Sequence, residues 1–75
     1  MDPDWIFDQI VRTVYQCCPV GTVNKEQLTK ETRLSSVQGL DFPYLSDVCS
    51  FRFKTRIMTH ELQKITVGQL VERCR

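Results

Sequence analysis

No run of apolar residues in this chain approaches the roughly 20 that span a bilayer, so no membrane-crossing helix is expected. The first residues, Met1-Asp2-Pro3-Asp4-Trp5, are acidic and show neither the basic nor the apolar region of a secretory leader, so a cytoplasmic setting is the default expectation. Histidine is reduced to His60, and no Cys-x-x-Cys pair occurs. The ligand spacing of a structural zinc site is therefore missing, and no metal is expected. An excess of one charge is missing as well. Ten basic residues against nine acidic ones leave a formal charge of +1, which argues against the basic face of a nucleic-acid-binding domain. Internal repeats, low-complexity segments and flexible linkers are also absent.

What is present is a short chain of ordinary globular composition, 41% apolar and 25% charged, which reads as one domain over residues 1–75. A chain of this length buries only about 60% of its unfolded surface, so its core has little to spare. The four cysteines are Cys17, Cys18, Cys49 and Cys74. A disulfide framework needs an extracellular context; without one, the expectation is four buried, reduced thiols.

The local signals are helical. Asp2 can cap a first helix, Pro3 suits its first position, and Asp4 complements the positive end of the dipole. Ile6, Ile10, Val14 and Cys17 recur at helical spacing, Phe7, Val11 and Cys18 widen the stripe, and Pro19 and Gly21 end it near Cys18. Residues 19–41 read as a long connection rich in Thr, Ser, Asn and Gly. A structureless loop of that length is unusual in a compact domain. Val23, Leu28, Leu34, Val37 and Leu40 are therefore expected to anchor it, with a single turn at Lys25–Leu28 capped by Asn24. A second helix is predicted to begin at Pro43, which favours extended geometry at Phe42. Its expected buried stripe is Leu45, Val48, Cys49 and Phe53, with Phe51 toward one flank, and Arg52, Lys54 and Arg56 close it. A short turn is expected around Thr59–Gln63. The last helix starts at Thr66, in a capping box with Gln69, and buries Val67, Leu70, Val71 and Cys74.

Gly39-Leu40-Asp41-Phe42-Pro43-Tyr44-Leu45 resembles the Gly-x-Asp-Ser-Leu signature of acyl carrier proteins, with Phe42-Pro43 where that family has Ser-Leu. The loop segment from Lys25 to Val37 resembles the family's acidic turn and "Thr-x-Leu" anchor. The segment from Ile57 to Val71 resembles its third-helix region, and the Lys64-Ile65-Thr66-Val67-Gly68-Gln69-Leu70-Val71 ending is the best-matched part. The order of long helix, long anchored loop, medium helix, short turn and final helix also resembles that family, and with it the resemblance covers nearly all of residues 4–74. The resemblance implies an all-α, acyl-carrier-like four-helix bundle, with three main helices, a short one and a long first loop.

The departures from the family cluster in one place. The serine that would carry the 4'-phosphopantetheine arm is Phe42, which has no hydroxyl for a phosphodiester. The stretch from Gly39 to Ile57 is about one helical turn shorter than in typical carriers. The second helix, usually acidic in the family, sets Asp47 against Arg52, Lys54 and Arg56. Charge complementarity governs partner choice and association rate, so a helix of inverted sign is not expected to dock as the family's does.

The expectation is a non-catalytic module without a cofactor that works through protein contacts. Its partner would be a synthase, an acyltransferase or a related carrier-dependent enzyme in fatty-acid, polyketide or lipid biosynthesis. The candidate contact residues are Phe42, Tyr44, Asp47, Arg52, Lys54 and Arg56. For Phe42, inward packing weighs more than surface contact; for Tyr44 the order reverses. The basic cluster reads equally as a partner site or as a solvated helix end. The alternative is a working carrier with its arm on Ser46, since Leu45-Ser46-Asp47-Val48 faintly echoes the attachment motif. Ser46 has no Asp before it, however, and too few residues follow it to complete the helix before Ile57. An enzyme in its own right is not expected. Adjacent His60 and Glu61 point different ways on a helix, and no basic neighbour activates Cys17 or Cys18.

Overall fold

A computed structural model describes residues 2–19, 21 and 23–75; Met1, Val20 and Thr22 lie outside the described residues. Among the described residues the chain forms α1 (Pro3–Gln16), α2 (Phe42–Phe53), α3 (Thr59–Leu62) and α4 (Val67–Cys74), with 3-10 turns at Lys25–Gln27 and Leu34–Ser36.

α1 begins as its sequence dictates. The Asp2 carboxylate accepts a hydrogen bond from the Asp4 amide at 2.9 Å, and Pro3 fills a position where no donor is needed. The helix ends at Gln16 with Cys17 as its cap, slightly before the expected end near Cys18. Its inward side carries Ile6, Ile10, Val11, Thr13 and Val14. The Thr13 hydroxyl is satisfied by the Gln9 carbonyl at 2.8 Å. α4 is the main packing partner of α1. It opens on the predicted capping box: the Thr66 hydroxyl accepts from the Gln69 amide at 3.2 Å, and the Gln69 side chain accepts from the Thr66 amide at 2.8 Å.

The long connection is anchored as expected. Leu28, Leu34, Val37 and Leu40 are buried in the common core, and Val23 packs against it half-buried. Asn24 caps the first 3-10 turn through its carboxamide oxygen and the Glu26 amide, 3.0 Å. A second tie lies beyond local reading. The loop backbone is stitched across the start of α4 by Leu34 N–H to the Ile65 carbonyl (3.1 Å), Val67 N–H to the Thr32 carbonyl (2.9 Å) and Gly68 N–H to the Lys30 carbonyl (2.9 Å). These bonds flank an isolated antiparallel bridge between Arg33 and Thr66. Two of the bonds satisfy amide donors that the first turn of α4 would otherwise leave open. Gly68 is required there, because an added Cβ would lie 2.9 Å from the Lys30 oxygen.

α2 runs back along α1. The Asp41 amide donates to the Cys17 carbonyl at 3.1 Å, joining the end of α1 to the start of α2. At the other end, Trp5 meets the Phe53 ring edge-on, with centroids 6.3 Å apart. Trp5, 47% exposed, is thus a rim anchor. Just before α2 the long connection turns at Gly39, φ +76°, where a Cβ would also meet the Pro19 ring at 2.8 Å.

Candidate functional site

The site of interest is α2, whose start stands where the resemblance places an attachment point. The helix begins at Phe42 rather than Pro43. The proline's bias toward extended geometry at the preceding residue is overcome by Asp41, whose carboxylate accepts from the Tyr44 amide at 3.1 Å and fixes the first turn. Phe42 turns toward the protein and packs, half-buried, on the core cluster. The helix start thus carries a carboxylate as its cap and a phenyl ring as its first residue. A free helix N-terminus suits a phosphate. Here Asp41 already occupies a donor and contributes a negative charge of its own.

Ser46 is buried, and its hydroxyl donates to the Ile57 carbonyl. Ser46 is thus not an exposed helical serine open to attachment. The bond ties the middle of α2 to the segment entering α3, and an arm attached to this oxygen would have to break it.

The two faces of α2 also differ from the predicted stripe. Leu45, Ser46, Cys49 and Phe53 are buried. Val48, expected inside, is only half-buried, and Phe51, expected on a flank, is 87% exposed. Tyr44 is 51% exposed, as its surface reading required. Tyr44, Val48 and Phe51 are spaced i, i+4, i+7 and so form a second apolar stripe, turned away from the core. They line a shallow groove of about 700 Å³, with Gln16 of α1 as part of its wall. Sequence reasoning missed this stripe because it assigned Val48 to the core stripe and left Phe51 on its flank. The signal that would have found it is the same spacing read twice, once inward from Leu45 and once outward from Tyr44.

The expected contact charges separate into two groups. Arg52 reaches across to α1, donating to the Gln9 carboxamide at 3.0 Å. Asp47 and Lys54 both line the groove, and neither is paired with another side chain among the described residues. Lys54 caps the helix in the left-handed region, at φ 52°, a costly conformation for a residue with a side chain. The exposed Arg56 lends its backbone carbonyl to the Arg73 guanidinium at 3.2 Å.

The four cysteines are free and buried. Burial, and then the negative charge of Asp41, push the Cys17 thiol up to about 11; burial also raises Cys18. Cys49 is held protonated by its hydrogen bond with Cys74 and by burial. The Cys17, Cys18 and Cys49 thiols are therefore weak nucleophiles at neutral pH, whereas the hydrogen bond from Cys49 lowers the Cys74 thiol. His60 is exposed on α3, while Glu61 beside it is taken by Arg73, whose Nη2 donates to Oε1 at 3.1 Å. Among the described residues no group of three or more His, Cys, Asp or Glu side chains is gathered as a metal would require. Nor is any of their helices long and apolar enough to cross a membrane.

Neither protein-family models, nor curated proteins, nor solved structures give a match to this chain.

Proposed function

We propose that this chain is a non-catalytic, acyl-carrier-like module that lacks the phosphopantetheine serine and acts through protein–protein contacts. Its setting would be in or beside fatty-acid, polyketide or lipid biosynthesis. The order of α1, a long anchored loop, α2, a short α3 and α4 supports the acyl-carrier-like bundle. The observation that carries the loss of the arm is Phe42. It occupies the attachment position, packs on the core cluster, and follows a helix cap already supplied by Asp41. The outward face of α2 supports the contact role, because Tyr44 and Phe51 expose large rings of the kind that anchor interfaces. The partner under this reading is a synthase, an acyltransferase or a related carrier-dependent enzyme that grips this face.

Coexpression with a broad-specificity phosphopantetheinyl transferase, followed by intact mass, tests the reading. The expected mass is that of the bare chain. A gain of one arm would overturn it, and loss of that gain in Ser46→Ala would move the attachment to Ser46.

A further inference from the structure

The outward stripe of α2 has charges at a telling spacing. Asp47 and Lys54, the residue that caps the helix, both line the groove seven residues apart, so their backbones are separated by two helical turns, or about 10 Å, along the axis. Phe51, the most exposed large apolar residue among the described residues, lies almost midway between them. Neither charge has a side-chain partner within its own chain among the described residues.

This pattern is self-complementary. If two such helices are laid antiparallel about a two-fold axis passing between residues 50 and 51, Asp47 of one copy faces Lys54 of the partner subunit. The reciprocal pair forms at the same time, because a two-fold interface repeats every contact. The two Phe51 rings then meet beside the axis, with Val48 next to them, and water leaves the stripe that intramolecular packing leaves wet. A parallel arrangement sets Asp47 against Asp47 and Lys54 against Lys54, which like-charge repulsion disfavours.

We infer that α2 pairs with α2 of a second copy of this chain, antiparallel, with Phe51 at the two-fold axis and reciprocal Asp47–Lys54 contacts on its edge. The inference uses the face assigned to protein contacts above but nothing of the family resemblance, so the mass of the chain decides one and its oligomeric state the other. A 12-residue helix is about 18 Å long. Its stripe is smaller than the roughly 800 Å² per partner of a standard interface. The dimer is accordingly weak and concentration-dependent.

Sedimentation equilibrium of the full chain at low salt, from about 10 μM to about 1 mM, reads the association directly. The wild type is expected to pass from monomer to dimer within that range. Phe51→Ser, at a position too exposed to disturb folding, should weaken association about tenfold or more, with an unchanged circular dichroism spectrum. Asp47→Lys and Lys54→Asp should each be weakened about tenfold, since each converts two attractions into two repulsions. Mixed in equal amounts, these two variants should associate with each other at close to wild-type strength. A wild type that stays monomeric throughout overturns the inference and leaves the stripe to a different partner. A dimer indifferent to Phe51→Ser, or a mixture no tighter than either variant alone, overturns it equally.

Discussion

α4 and α2 are both packed helices of one small chain, yet they distribute their side chains in opposite ways. α4 sends Val67, Leu70, Val71 and Cys74 inward and leaves Gln69, Glu72 and Arg73 to solvent. α2 sends Leu45, Ser46, Cys49 and Phe53 inward and still leaves Tyr44 and Phe51 exposed, with Val48 between them only half-covered. An amphipathic helix is explained by folding, because its one apolar stripe has somewhere to go. A helix that is apolar on two faces is explained by folding on one of them only. Their charges repeat the contrast. Arg73 of α4 is tied to Glu61 and to the Arg56 carbonyl, whereas Asp47 and Lys54 of α2 are not paired with other side chains among the described residues.

The comparison breaks most visibly by truncation. Leu70 on α4 is fully buried, and Leu70→Ala should cost about 2–5 kcal/mol in urea unfolding. Phe51→Ala on α2 removes a larger side chain and should change monomer stability by no more than about 0.5 kcal/mol. A loss at Phe51 comparable to that at Leu70 would mean that the outward stripe is part of the monomer core, and the distinction between the helices would fall.

Next in size is the seam at the start of α4. In Gly68→Ala the new methyl would sit 2.9 Å from the Lys30 carbonyl oxygen, a backbone atom that cannot swing aside. Either the Gly68–Lys30 hydrogen bond opens or the loop shifts, at about 1–3 kcal/mol. Hydrogen exchange should show the loss spreading to the Leu34 and Val67 amides, which share the seam. Exchange at α2 should change least.

The helix caps test whether the two helices begin equally well. Thr66→Ala removes the hydroxyl that accepts from Gln69, and Asp41→Ala removes the carboxylate that accepts from Tyr44. Each should cost about 1 kcal/mol in thermal unfolding. The Asp41 change has a second readout. Its charge helps to raise the Cys17 thiol, so alkylation of Cys17 at mildly alkaline pH should quicken in Asp41→Ala. Unchanged thiol reactivity would show that burial and the neighbouring Cys18, not Asp41, set the proton affinity of Cys17.

How much of this was legible in the sequence follows from how local each cause is. The caps at Asp2 and Thr66 were readable because donor and acceptor lie within three residues of each other. The anchoring of residues 19–41 was readable because a loop so long must bury its few apolar side chains. The seam between Lys30–Leu34 and Ile65–Gly68 was not, since its bonds join segments about thirty positions apart. The burial of Ser46 was hidden for the same reason, as its acceptor is the Ile57 carbonyl eleven residues on. Within the candidate site, the missing hydroxyl at Phe42 and the exposure of Tyr44 were plain. The faces of Val48 and Phe51 were not. Periodicity reveals a face only when the other face is polar, and α2 has apolar residues on both.

The smallest expected effect is a pH dependence, and it sharpens the contrast from the side of α4. Arg73 reaches from α4 to α3, and its hydrogen bonds hold the Glu61 carboxyl below its ordinary value of 4.5. A carboxylate whose folded-state pKa is depressed stabilises the fold fully above its unfolded pKa. That contribution disappears as the pH falls through the folded value, because the unfolded chain then binds the proton more readily. Below about pH 4.5 the wild type should therefore lose stability more steeply than Glu61→Gln, which has no proton to take up there. The pair is exposed, so salt should shrink the difference. Thermal melts of both proteins between pH 3 and pH 6 check this. Parallel acid limbs would mean that the Glu61 contact contributes nothing and that Arg73 is tied only to the Arg56 carbonyl, ahead of α3.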